Sequence, residues 1–114
     1  VRYDSQGGQR HLPLHRDEST HSFTIALNSL GEYEGGGTYI SQLQTSLKPE
    51  RGGVVSFRGS DLLHGGDPVI RGTRYIIVAF CYADFAGLDK EQNQKVKKQK
   101  LENCSSNFSF EFQF

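Results

Sequence analysis

The sequence has no tryptophan and no methionine. Any core must therefore rest on Val, Ile, Leu, Phe and Tyr. Its two cysteines, Cys81 and Cys104, are too few for a disulfide framework. Charge of one sign is missing as well: 13 basic and 13 acidic side chains cancel. A neutral chain has no strong electrostatic draw to nucleic acid or to an anionic membrane surface, so neither is expected as a partner. No apolar run approaches the roughly 20 residues of a membrane-spanning helix, and no signal-peptide pattern opens the chain. The sequence begins abruptly at VRYD, inside what reads as a strand. It therefore reads as part of a longer protein, and localisation stays open between the secretory pathway and the cytoplasm.

What remains points to β structure. The 114 residues are one domain's worth, enough for a small core. Thirteen Gly and eight Phe suit a turn-rich β protein better than a helical bundle. Residues 1–3 read as a short strand and 4–9 as a turn around a Gly pair. Residues 11–17 read as a second strand. Residues 22–27, SFTIAL, alternate, with Phe23, Ile25 and Leu27 on one face and Thr24 and Ala26 on the other. GEYEGGG at 31–37 reads as a loop or hairpin turn. It is not a phosphate loop, because no Lys-Ser/Thr pair follows. Residues 38–40 read as a strand, and 47–57 bracket another, with PERGG as turn and VVSF as body. Residues 62–64 precede a Gly65-Gly66 turn. TRYIIVAFCY at 73–82 is the strongest strand, with the composition of a central strand buried on both faces. Short strands separated by Gly-rich turns, with no strand–helix alternation, predict an all-β, mainly antiparallel barrel or jelly roll.

From residue 84 the character changes. KEQNQKVKKQKLE at 90–102 favours a solvated helix or no structure, and residues 108–114 place four Phe on one side of a possible strand. That strand has three readings: a sheet edge, an association surface, or an exposed apolar tail. The expected division is a β domain over 1–83 and a charged, Phe-rich tail over 84–114, with a short helix.

The chemistry concentrates in LPLHRDESTHSFTIALN, residues 12–28. On a strand, side chains at i and i+2 share a face, so His15 and Asp17 present an imidazole and a carboxylate side by side. His64 is the best third ligand. Two His and one carboxylate leave other metal positions open, the facial set of non-haem Fe(II) oxygenases. Ten residues after His64, Arg74 starts the most apolar strand, sharing a face with Ile76, Val78 and Phe80. A guanidinium pointing into a barrel is costly unless an anion meets it, and a carboxylate pairs with it bidentately. A small dicarboxylate would supply that anion and keep a second end for the metal. His11, His21 and Asp61 read as surface, packing or turn residues, and Arg71 as an exposed turn residue. The HRD triplet is not a kinase catalytic loop: the expected Asn is Ser22 and no Gly-rich ATP loop precedes it.

HRDESTHSFTIALNSLGEYEGGGTYI followed by RGGVVSFRGSDLLHGGDPVIRGTRYIIVAF resembles the catalytic domain of Fe(II)- and 2-oxoglutarate-dependent dioxygenases, in particular the prolyl and lysyl hydroxylase type. ALN, YEGGG and GTRYI are closest to the lysyl hydroxylases. The resemblance covers roughly residues 1–82. It implies a double-stranded β-helix, with His15, Asp17 and His64 as iron ligands and these three plus Arg74 as the catalytic set. It implies that Arg74 and Tyr3 hold the far carboxylate of 2-oxoglutarate, with Asn28 near the co-substrate, and that Fe(II), 2-oxoglutarate, O2 and ascorbate take part. The implied reaction is C–H hydroxylation of a peptidyl Pro or Lys, with a small-molecule substrate as the alternative. The resemblance also brings the secretory pathway and endoplasmic reticulum into view. Two glycosylation-type triplets, at Asn103 and Asn107, add little to it. Helices that precede the first strand in that family have no counterpart here, so one sheet face is expected to be uncovered. Two rivals remain: a non-catalytic jelly-roll binding module with a vestigial metal site, and a cupin-like metal enzyme that does not use 2-oxoglutarate.

Overall fold

The structure is a computed structural model and describes residues 1–83 and 108–114. The helix expected at 90–102, Cys104 and the triplets at Asn103 and Asn107 lie outside the described residues. Among the described residues there is no helix long and apolar enough to cross a membrane.

Among the described residues ten strands make two sheets, and every pairing is antiparallel. They are β1 (Arg2–Asp4), β2 (Leu12–His15), β3 (His21–Ala26), β4 (Tyr33–Gly35), β5 (Thr38–Ile40), β6 (Thr45–Leu47), β7 (Val54–Phe57), β8 (His64–Gly66), β9 (Val69–Ala83) and β10 (Phe108–Gln113). The larger sheet runs β1-β9-β3-β7, with β4 and β10 also on β9, and the smaller runs β2-β8-β5-β6. This jelly-roll-like, all-β architecture is the one the turn-rich composition predicts.

β9 organises the larger sheet, as its β-branched and aromatic run demands. Its inward positions include Arg74 and Ile76, both buried, whereas the outward Tyr75 is 42% exposed. On that same outward face Ala79 and Cys81 are buried, while the inward Val78 and Phe80 are half-buried, so the expectation of a strand buried on both faces holds toward the C-terminal end of β9 and fails at Tyr75. β3 has one buried face. Ser22, Thr24 and Ala26 are its buried positions, and Phe23 and Ile25 lie half-buried on the outside. Tyr3, Tyr33, Val69 and Ile76 form the central apolar cluster.

Three local readings change. Gly65-Gly66 is not a turn but part of β8. A Cβ on Gly65 would sit 2.7 Å from the Leu12 carbonyl oxygen, so only glycine lets β2 lie this close. Residues 47–57 split between β6 and β7, which belong to different sheets. The 31–37 loop resolves into a 3-10 turn at Leu30–Glu32 followed by β4. At the other end of the chain, the Phe-rich segment takes the first of its three readings: β10 pairs with β9 from Phe108↔Ala83 to Gln113↔Val78.

Candidate active site

Strand pairing brings His15 and His64 together. They are register partners across β2 and β8, and their ring centroids lie 4.5 Å apart. Asp17 falls two residues beyond the end of β2, so strand alternation does not place it. Its backbone N–H donates to the Gly59 carbonyl at 3.0 Å, and this bond fixes it beside the imidazoles. Its Oδ1 lies 3.2 Å from His15 Nε2 and its Oδ2 3.1 Å from His64 Nε2. One donor atom from each of the three residues fits within 4.8 Å of the other two. His15 is the most open of the three, at 34% side-chain exposure.

The second nitrogen of each ring settles which face is presented. His15 Nδ1 is 2.7 Å from the Pro13 carbonyl, and His64 Nδ1 is 2.7 Å from the Leu62 carbonyl. A carbonyl only accepts, so each Nδ1 carries the proton. Each Nε2 faces Asp17: it donates to the carboxylate when the ring is charged, and in the neutral ring it offers a lone pair on that same side, the outer-sphere arrangement that orients metal-binding histidines. Burial disfavours the Asp17 carboxylate, but hydrogen bonds from His64 and Ser22 and the charge of both imidazoles outweigh it. Its pKa is lowered, and it is ionised at neutral pH. Burial likewise opposes charging of His64, yet its bonds to Asp17 and Leu62 win and raise its pKa. Phe57 packs edge-on against the His64 ring at 4.5 Å. Two neutral imidazole donors and an ionised carboxylate fit a divalent first-row metal such as Fe(II).

The cluster opens on a cavity of about 190 Å³ that also contains Arg74, Tyr3, Thr38, Ile76 and Phe80. Arg74 is only 3% exposed. Its Nη2 donates to Thr38 Oγ1 at 3.3 Å, and its guanidinium lies 5.8 Å from the Tyr3 ring centroid. Among the described residues no carboxylate forms an ion pair with it. Burial lowers its pKa, opposed by Tyr33 and Tyr3. Tyr3 is the register partner of Arg74 across β1 and β9. Burial raises its phenol pKa, against the pull of the Arg74 charge.

Asn28 is not brought to this cavity. Its Nδ2 donates to the Thr73 carbonyl at 2.8 Å, and its Oδ1 accepts from the Tyr75 N–H at 3.0 Å. Its amide braces β9 instead, which corrects the expectation that it lies by the co-substrate. His11 and His21 are exposed. Asp61 pairs with Arg58 at 2.9 Å, and Arg71 with Glu34 at 3.0 Å, all at the surface. Sequence reading missed Ser22, Tyr33 and Thr38. The alternation in β3 does put Ser22 on the face of Thr24, but a polar face on a strand reads by default as solvated.

An antiparallel β core carrying two imidazoles and one carboxylate beside a cavity has the donor set of the 2-His-1-carboxylate oxygenases. The comparisons make the class narrower. Procollagen-lysine,2-oxoglutarate 5-dioxygenase 2 of Homo sapiens is 43% identical over 75 residues, covering 63% of this chain and 10% of the relative. Procollagen-lysine,2-oxoglutarate 5-dioxygenase 1 is 40% identical in Homo sapiens and 39% in Gallus gallus, each over 83 residues, covering 70% of this chain and 11% of the relative. The chain thus spans about a tenth of the length of the curated relatives it matches. No family model matches it. These relatives support a lysyl hydroxylase-type 2-oxoglutarate dioxygenase domain.

Proposed function

We propose that this chain carries the catalytic core of an Fe(II)- and 2-oxoglutarate-dependent hydroxylase, with residues 1–83 forming the oxygenase domain and 84–114 a tail whose last strand closes onto β9. The observation that carries this reading is a buried guanidinium, unpaired with any described carboxylate, in the same cavity as a two-imidazole, one-carboxylate cluster. A dicarboxylate satisfies both ends at once. His15, Asp17 and His64 hold the metal. Arg74 takes the far carboxylate of 2-oxoglutarate, with Tyr3 and Thr38 beside it. Bound Fe(II) supplies the hard step: with O2 it couples decarboxylation of 2-oxoglutarate to succinate and CO2 with insertion of one oxygen atom into a substrate C–H bond.

The protein's own part is placement. The Nδ1 bonds fix both imidazoles. The Arg74 charge, at low local dielectric, orients the co-substrate. Ile76, Val78 and Phe80 give the cavity an apolar wall that limits water. The substrate we favour is a peptidyl Lys, from the names of the relatives, with peptidyl Pro next. Ascorbate as a reductant and a secretory location belong to the same reading.

The test is succinate release from 2-oxoglutarate with added Fe(II), stimulated by a panel of Lys- and Pro-containing peptides. The expected result is peptide-stimulated turnover that is lost when His15→Ala and Asp17→Ala are combined. Turnover surviving that double substitution refutes the ligand assignment. Turnover unchanged in Arg74→Ala favours a metal enzyme that does not use 2-oxoglutarate, and metal binding without turnover favours a binding module.

A further inference from the structure

Behind the three donor residues lies a buried pair of hydroxyls that the metal reading does not itself require. Ser19 and Ser22 are 0% and 1% exposed. Ser22 Oγ donates to Asp17 Oδ2, and Ser19 Oγ lies 2.8 Å from Ser22 Oγ. An ionised carboxylate only accepts, so the single Ser22 proton is committed to Asp17. The bond between the serines then runs in one direction: Ser19 donates and Ser22 accepts. Ser19 is tied down in turn, since its carbonyl accepts the Ser60 N–H at 3.0 Å.

The opposite side of this chain of hydroxyls is backbone. A Cβ built on Gly59 would sit 2.2 Å from Ser22 Oγ and 2.8 Å from Asp17 Oδ2. Gly59 therefore forms a wall against which carboxylate and hydroxyl are pressed, and its carbonyl holds the Asp17 N–H. The carboxylate is gripped at one oxygen and at its own backbone. Oδ2 also lies 3.1 Å from His64 Nε2, and the other oxygen, Oδ1, lies 3.2 Å from His15 Nε2.

We propose that Ser22, backed by Ser19 and Gly59, is a positioning residue that makes Asp17 a one-oxygen metal ligand: its hydrogen bond takes up acceptor capacity of Oδ2, the oxygen that also faces His64, and so favours Oδ1 for the metal. The proposal rests on the metal reading above. Its physical content is a count of open positions. A carboxylate that binds through both oxygens would take one of the sites that the co-substrate and O2 need, and a hydrogen bond to one oxygen disfavours that mode. Hydrogen bonds behind metal-bound groups typically alter affinity by about 10- to 100-fold.

The experiment is titration of the metal-free chain with Mn(II) by calorimetry, with Co(II) visible absorption as a reporter of coordination. The wild-type chain should bind Mn(II). Ser22→Ala should bind it about 10- to 100-fold more weakly, with an altered Co(II) spectrum that a merely structural role would not produce. Ser22→Thr, which keeps the hydroxyl, should restore both. If Ser22→Ala does not fold, Ser19→Ala carries the test. It removes the donor behind Ser22 and should give a smaller loss in the same direction. Mn(II) affinity and a Co(II) spectrum equal to wild type in the folded alanine variant overturn the proposal while leaving the three ligands standing. A wild-type chain that takes up no Mn(II) overturns the metal reading, and this inference with it.

Discussion

Asn28 shows how a single residue can mislead. In ALN its amide looks like a group held out for a ligand, yet both ends are spent on the backbone of β9. Asn28→Ala leaves the Tyr75 N–H and the Thr73 carbonyl without these partners. It should cost about 1–3 kcal/mol of stability while leaving 2-oxoglutarate affinity near wild type, as denaturant unfolding and calorimetry would show. A large loss of co-substrate affinity at unchanged stability would restore the original expectation. The pH dependence is also set by single residues. His64 has a raised pKa in the folded chain, so its contribution is complete below the ordinary imidazole value of about 6.5 and is lost as pH rises through the raised value. Asp17 has a lowered pKa, so its contribution is present above about 3.9 and is lost as pH falls through the lowered value. The metal-free chain should therefore lose melting temperature as pH rises above about 6.5 and through the raised His64 value. Mn(II) affinity should rise over the same interval, because the metal needs the imidazole without its proton. Melting curves at several pH values, with and without Mn(II), check both slopes. Parallel slopes would contradict the account.

At the scale of elements, the decisive contact is β2 against β8, which sets His15 opposite His64. Gly65→Ala drives a methyl into the Leu12 carbonyl and should push the strands apart. Overpacking of this kind costs about 1–3 kcal/mol, and here it should also weaken Mn(II) binding. Gly31→Ala meets nothing within 4 Å and should be near neutral. Equal melting temperatures for the two variants would contradict the packing argument. The same element explains what was legible in the sequence. The His-x-Asp spacing, the distant His64 and the inward parity of Arg74, Ile76 and Phe80 could be read because each involves side chains in a pattern. β8 could not, since His-Gly-Gly has no alternation and glycine reads as a turn unless the neighbouring strand is known. Asp17 joins the cluster although it lies off the strand, so the i, i+2 argument reached the right neighbour through a geometry that does not apply. Ser22 was invisible because a polar face on a strand looks solvated until a cavity is found behind it.

For the molecule as a whole, the two sheets are a frame that holds a two-imidazole, one-carboxylate cluster at one place and a buried guanidinium at another in the same cavity. The outer face of the larger sheet is mixed: Tyr75 is exposed, Phe23 and Ile25 are half-buried, and Ala79 and Cys81 are buried. The central claim is that metal and guanidinium act on one dicarboxylate. The measurement that tests it most directly is calorimetric titration of 2-oxoglutarate into the chain, with and without Mn(II), for wild type and Arg74→Ala. The account predicts tight binding only when the metal and Arg74 are both present, and a large loss when either is removed. Binding that is indifferent to the metal, or undiminished in Arg74→Ala, would contradict it.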